Sequence, residues 1–166
     1  MTRTEILQKI INRLDAKEYL EIGVADGDNF MEIKVPFKTG VDPIPADQRL
    51  HVLGDDEAEY HQMHSDEFFQ KNEKKFDVIF IDGLHRSDQV IRDVLHGMNA
   101  LNKGGVLVMH NCNPPTEGHQ TPQPSMSEWT GDVWKAVVHL RTLENIDLFV
   151  VDVDFGCGIV RKGRSF

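Results

Sequence analysis

Apolar residues recur at helical spacing in several stretches and crowd into strand-length runs between them. Ile6, Leu7, Ile10, Ile11 and Leu14 follow the three-to-four spacing of a buried helix face, and Thr4 stands where a helix cap is expected. A short strand, Glu18–Ile22, then runs into Gly23 and Gly27, followed by a helix over about residues 29–33. Residues 37–42 read as a second strand, closed by Pro43 and Pro45. Residues 46–59 carry little pattern and read as loop. A third strand over 60–64 precedes Ser65-Asp66 as a cap and a helix over 67–72. The run 76–82 is nearly all apolar, as in a strand covered on both faces of a parallel sheet. Val90, Ile91, Val94, Leu95 and Met98 form one stripe of a helix over 87–99. Lys103-Gly104-Gly105 reads as a turn into a strand over 106–110. Residues 111–127, rich in Pro, Thr, Gln and Ser, predict a long loop of the kind that forms lids and binding surfaces. A helix over 132–141 and two strands, 148–153 and 158–161, finish the pattern.

Strands alternating with helices predict an α/β fold: a three-layer, doubly wound, Rossmann-like sheet, mostly parallel. The final two strands are separated by Asp154-Phe155-Gly156-Cys157, too short for a crossover helix. They therefore form a hairpin, which makes the final strand antiparallel. The 166 residues have room for one substantial core. The expectation is a single domain over 1–166, with an N-terminal helical segment 1–16 and a long active-site loop 111–128.

Composition narrows the function. Forty per cent hydrophobic and 27% charged residues are ordinary for a globular protein. No apolar run approaches the ~18 residues of a membrane span, and the polar N-terminus does not read as a secretory signal. Lys and Arg total 18 against 27 Asp and Glu, a net charge of −9 that opposes broad binding to nucleic-acid phosphates. Cys112 and Cys157 are far apart and outside zinc spacing, so they read as free thiols in a reducing compartment. The expected setting is cytoplasmic, with neither nucleic acid nor membrane as partner; no pattern specifies an oligomeric state.

The chemistry concentrates at strand ends. A glycine-bearing strand-to-helix turn brings backbone N–H groups close to a ligand, and Gly23 and Gly27 remove the Cβ atoms that would hold it off. The spacing is Gly-x-x-x-Gly, which is not the dinucleotide fingerprint. Glu21 directly precedes the first glycine. Its carboxylate would repel a pyrophosphate but favour a cationic sulfonium and an α-ammonium group. Asp42 ends the second strand 19 positions after Gly23, where a carboxylate accepts hydrogen bonds from ribose hydroxyls. Asp82, His85, His110 and Asn111 cluster at the ends of two further strands.

Glu21-Ile22-Gly23-Val24-Ala25-Asp26-Gly27 resembles the first motif of class I S-adenosylmethionine-dependent methyltransferases, and Asp42 resembles their second. Ser65-Asp66 resembles the position that holds the adenine amino group, Asp82 the fourth motif, and the terminal hairpin their characteristic last strand. The likeness runs from Tyr19 to Lys162. It implies S-adenosylmethionine as cofactor, held by Glu21, Gly23, Gly27, Asn29, Asp42, Ser65, Asp66 and Asp82. The runs 81–87 and 108–114 are similar to a subgroup of macrolide and sugar O-methyltransferases and cephalosporin hydroxylase-like proteins, the methyltransferase 24-like group. That implies methylation of a small-molecule hydroxyl.

Asp82, His85 and His110 are then the candidate catalytic residues, either histidine serving as the base for the acceptor hydroxyl. Members of the subgroup and the catechol-type enzymes hold Mg²⁺ with acids after strands four and five. Here the corresponding set is Asp82, His110 and Asn111, a departure that suits Mn²⁺, Fe²⁺ or Zn²⁺ better than Mg²⁺. Two further readings keep the fold but not the reaction. One is a metal-assisted lyase, hydrolase or oxygenase-like enzyme centred on Asp82, His85 and His110. The other is a non-catalytic S-adenosylmethionine-binding module, since the chain lacks the large helical cap that encloses the substrate in many members.

Overall fold

The computed structural model describes residues 1–44, 58–121, 123–124 and 128–163. Pro45 and most of the expected loop over 46–59 lie outside the described residues. The elements are α1 (Arg3–Leu14), β1 (Glu18–Ile22), α2 (Asp28–Glu32), β2 (Phe37–Asp42), β3 (Ala58–Gln62), α3 (Ser65–Lys71) and β4 (Phe76–Ile81). They continue with α4 (Ser87–Ala100), β5 (Leu101–Met109), α5 (Val133–Leu140), β6 (Ile146–Val151) and β7 (Cys157–Lys162).

The seven strands form one sheet in the order β3-β2-β1-β4-β5-β7-β6. The strands from β3 to β5 pair in parallel, and β7 runs antiparallel to both of its neighbours. The expected hairpin is present, and its antiparallel strand is inserted between β5 and β6. Strand order reverses between β1 and β4, so the crevice in which such sheets bind ligands opens above these two strands.

Side chains of period two divide the core. Leu20 and Ile22 of β1, Ile79 and Ile81 of β4, and Leu107 and Met109 of β5 form one cluster with Phe68, Val90, Val94 and Val137 from α3, α4 and α5. The alternate residues, Tyr19, Val78, Phe80, Val106 and Val108, join Ile6, Leu7, Ile11, Phe30 and Ile33 from around α1 and α2. Both faces of the central strands are thereby covered, which explains the near-continuous apolar run of β4.

Local chemistry corrects several boundaries. Thr2, and not Thr4, caps α1: its side chain accepts from Glu5 N while Glu5 accepts from Thr2 N, a reciprocal capping box. Thr4 Oγ1 instead donates to Asn29 Oδ1 at 2.8 Å. Ser65 and Asp66 lie inside the first turn of α3, after His64, and do not form a cap ahead of it. β3 begins two residues before its expected start. Lys103-Gly104-Gly105 lies within β5, where pairing with β4 shifts register between Phe76 and Val78. A Cβ on Gly105 would stand 2.9 Å from Asp77 O, so this strand is bulged against its neighbour.

Candidate active site

The first turn is built by hydrogen bonds between strand ends. Gly23 N donates to Val41 O, and Asp82 N donates to Ile22 O, each at 2.8 Å. Gly23 has φ +88°, and a Cβ there would collide with the backbone of Asp82 and Gly83. Its glycine is thus required by the neighbouring strand as well as by any ligand. Ala25, at φ +47°, sends its N–H to Asp42 Oδ2 at 2.9 Å, and Ile44 N donates to Asp42 Oδ1 at 2.8 Å. A buried carboxylate at the end of β2 therefore fixes the turn after β1.

A cavity of about 440 Å³ opens above this junction. Gly23, Asp42, Ser65, Asp66 and Asp82 line it, as does Ala25, which the motif reading did not single out. So do Gln89 and Asp93 of α4. Gln89 Nε2 donates to Ser65 Oγ, Asp66 Oδ1 and Asp93 Oδ1 within 3.2 Å, making one polar end. Burial pushes the Asp93 carboxyl up to about 6, although hydrogen bonds from Ser65 and Gln89 oppose the rise. A signal for this pair existed: a polar i, i+4 pair beside the Val90–Val94 stripe. At the rim, Ile44 and Leu84 are large apolar side chains left more than half exposed.

Glu21, Gly27 and Asn29 are not among the cavity-lining residues. Glu21 follows Tyr19 by two positions, so strand parity turns it toward the α1–α2 face. Tyr19 Oη donates to Glu21 Oε2 at 2.6 Å and Asn29 Nδ2 donates to the same oxygen at 2.9 Å. Burial raises the Glu21 carboxyl to about 8 against the lowering effect of these two hydrogen bonds. Gly27, at φ +82°, starts α2 and places Asn29 behind the turn.

The other end of the site assembles Asp82, His85, His110 and Asn111. Asp82 Oδ1 lies 3.2 Å from His110 Nδ1, 3.1 Å from Asn111 Nδ2 and 3.3 Å from His85 Nε2. Burial would raise the Asp82 carboxyl, but the hydrogen bonds and charges of His110 and His85 outweigh it and hold the group at about 2. His110 is buried and has both ring nitrogens engaged, Nδ1 by Asp82 and Nε2 by the Asp154 carbonyl.

His85 differs. Its Nδ1 meets the carbonyl of Trp129 at 2.9 Å, and Nε2 meets Asn111 Nδ2 at 3.0 Å. An Nδ1–H donated to Trp129 leaves Nε2 as the acceptor for Asn111, which selects the neutral tautomer. Burial lowers its basicity, but the adjacent Asp82 carboxylate more than restores it, so the imidazole titrates above its ordinary range. The Trp129 ring stacks obliquely at 5.2 Å, and a Cβ on Gly131 would collide with His85 O. Asp132 Oδ1 accepts from Ser87 N at 2.7 Å and holds the same loop against the start of α4.

A second cavity of about 200 Å³ lies on this side, with Arg3, Asn111, Glu128, Trp129 and Phe155 in its wall. Asp82 and His85 line both cavities. Arg3, Asp154 and Phe155 had no signal in the sequence: α1 and the β6–β7 turn reach the site only through tertiary packing. Of the five described non-glycine residues with positive φ, four stand here: Ala25 and Asn111 beside the cavities, and Asp154 and Phe155 in that turn. Left-handed backbone in non-glycine residues is strained and concentrates at functional sites.

The residues expected to hold a metal ion, Asp82, His110 and Asn111, are hydrogen-bonded to one another through Asp82. Among the described residues, no three His, Cys, Asp or Glu side chains are disposed to hold a metal ion. Asp82 Oδ1 accepts from His110 Nδ1 and Asn111 Nδ2 and lies 3.3 Å from His85 Nε2, Oδ2 faces Arg3 Nε at 3.7 Å, and both ring nitrogens of His110 are engaged. Asp82, His110 and Asn111 thus form a hydrogen-bonded cluster that does not fit a divalent ion, and the metal-assisted reading finds no support in it.

Comparison with known proteins agrees with this architecture. Residues 37–112, just under half of the chain, match a family model described as a methyltransferase domain. No curated protein sequence matches the chain. Among solved structures, the O-methyltransferase TomG of Streptomyces achromogenes, crystallised with SAM, superposes with a TM-score of 0.74 at 16% identity, over 98% of this chain and 80% of its own. A Staphylococcus aureus protein named for caffeoyl-CoA O-methylation gives 0.73 at 18%, over 96% and 82%. The N-methyltransferase NodS of Bradyrhizobium japonicum gives 0.65 at 16%, over 98% and 95%. The chain has the class I methyltransferase fold, and the resemblance read from its sequence is borne out.

Proposed function

We propose that this protein methylates a hydroxyl oxygen of a small molecule, with S-adenosylmethionine as donor. The observation that carries the reading is the pair of cavities meeting across Asp82 and His85 at the C-terminal ends of parallel strands. The larger cavity suits the donor. Asp42 would accept from the ribose hydroxyls through lone pairs its two backbone donors leave open. Ser65, Asp66, Gln89 and Asp93 would receive the adenine amino group, with Ile44 and Leu84 covering the base. Asp82 would face the α-ammonium group. Glu21 and Asn29 act from behind, fixing the Gly23–Gly27 turn without themselves entering the cavity.

S-Adenosylmethionine, when bound, supplies a methyl group activated on a cationic sulfonium, whose carbon–sulfur bond breaks with the electron pair left on sulfur. His85 takes the acceptor's hydroxyl proton on Nε2, where the incoming hydroxyl replaces the hydrogen bond from Asn111 Nδ2. Trp129 O orients the ring through Nδ1, and Asp82 stabilises the imidazolium that forms. His110 holds Asp82 in place through Nδ1 and has no nitrogen to offer an acceptor. The catalytic contribution beyond proton transfer is alignment of the acceptor oxygen with the methyl group.

The buried free thiols of Cys112 and Cys157 support a reducing, cytoplasmic setting. Among the described residues, no helix is long and apolar enough to cross a membrane. Calorimetry with S-adenosylhomocysteine tests the donor site: a Kd of roughly micromolar order is expected, and absence of binding would remove the reading.

A further inference from the structure

The second cavity contains a cation whose side chain is incompletely partnered. Arg3 is the first residue of α1, and its backbone is anchored twice: the Thr2–Glu5 capping box fixes the helix start, and Arg3 N donates to Asp154 Oδ2 at 2.7 Å. Its side chain then crosses the cavity wall. Nε is buried without a hydrogen-bond partner, 3.7 Å from Asp82 Oδ2, while one terminal nitrogen stands 3.5 Å from Asp154 Oδ2. These are ion-pair separations but not hydrogen bonds. An unmet buried donor carries a desolvation cost, and the guanidinium it belongs to borders the cavity.

The neighbours of this donor define such a ligand. His85 Nε2 and Asn111 Nδ2 converge on the same side of Asp82, so three nitrogen-bearing side chains border the space Arg3 enters. The rings of Trp129 and Phe155 form apolar walls suited to a planar ring. The cluster around Asp82 does not fit a divalent metal, and the positive charge next to its open oxygen belongs to a guanidinium fixed by the fold.

We propose that Arg3 is the resident cation of the acceptor site, and that the acceptor is a phenolic or enolic hydroxyl bound against Arg3 as its oxyanion. This rests on the methyltransferase reading of the larger cavity. When the hydroxyl proton passes to His85, the negative charge left on oxygen is met by Arg3 without any metal. Arg3 touches the reacting oxygen and is a catalytic residue in that sense. Its carboxylate neighbours, Asp82 and Asp154, hold the guanidinium in place.

The test uses the full chain saturated with S-adenosylhomocysteine, with EDTA present, and 4-nitrophenol as the probe, because its phenolate is distinguished by absorbance. The wild-type protein should bind the probe as phenolate and lower its apparent pKa. Arg3→Gln should weaken phenolate binding at least tenfold while keeping the thermal transition and the S-adenosylhomocysteine affinity. Arg3→Lys, which restores the charge, should recover most of the loss. Equal phenolate binding by wild type and Arg3→Gln, binding that appears only after Mg²⁺ or Mn²⁺ is added, or no binding by the wild type would each overturn the assignment. Failure of S-adenosylhomocysteine to bind any of the three proteins would instead remove the donor site on which the proposal stands.

Discussion

The two cavities that meet at Asp82 are built by different means. The larger is formed by consecutive strand–turn–helix units, and its main carboxylate, Asp42, is tied to backbone N–H groups of Ala25 and Ile44. The smaller is formed by side chains from five separate segments, in which Asp82 binds other side chains: His110, His85, Asn111 and Arg3. A site tied to backbone keeps its shape when one side chain changes. A site made of mutually charged side chains does not. The donor side should therefore tolerate substitution in proportion to the contact removed, and the acceptor side should fail cooperatively when its shared anion, Asp82, is removed.

The largest effect is expected for Asp82→Ala. It leaves His110, His85 and Arg3 without their shared anion, and stability should fall by about 3–5 kcal/mol, the usual cost of breaking a buried charged group from its partners. Denaturant unfolding reads this directly. A loss below about 1 kcal/mol would mean that the cluster is looser than its distances indicate.

His85→Gln comes next. Removing a general base costs about 10²–10⁴-fold in turnover, while S-adenosylhomocysteine affinity and folding stay near wild type. The pH profile adds a sign. Neutral His85 is the active form and its pKa is raised, so turnover should fall as pH drops through a value above about 6.5. Asp82→Asn should move that limb to lower pH. A profile unaffected by either change would assign the base elsewhere.

How far each cavity could be read from sequence follows the same division. β1, the Gly23 turn, β2 and Asp42 are contiguous, and a glycine turn between apolar strands carries its meaning locally. Glu21 was visible in that motif, yet its direction was not: parity with Tyr19 decides it, and Asn29 together with Tyr19 then claims its oxygen. His85 and His110 were placed correctly at strand ends, but their roles separate only when Trp129 O and Asp154 O, 44 positions from each respectively, meet their rings. Arg3 lay furthest from recognition, because helix-capping signals fix its backbone and say nothing of where its side chain reaches. Residues 103–105 misread as a turn for a related reason: two glycines mark a bulge as readily as a reversal.

A middle-sized effect is expected for Asp42→Ala. Loss of charged hydrogen bonds worth about 1.5–3 kcal/mol each should weaken S-adenosylhomocysteine binding by tenfold or more, with a smaller loss of stability. The smallest effect belongs to Glu21→Gln at low pH. Burial raises this carboxyl to about 8, so the wild type is fully favoured below its unfolded pKa and loses stability as pH rises toward 8. Glutamine cannot ionise, and the variant should lose that slope. Its thermal transition should match wild type near pH 5 and exceed it near pH 8.5, whereas an unchanged slope would show that Glu21 is ionised throughout.

The central claim is that donor and acceptor sites are separate cavities sharing one boundary, and calorimetry of S-adenosylhomocysteine against three proteins tests it most directly. Wild type and His85→Gln should bind alike, with a Kd of roughly micromolar order, and Asp42→Ala at least tenfold more weakly. No binding by the wild type, or equal loss in both variants, would contradict it.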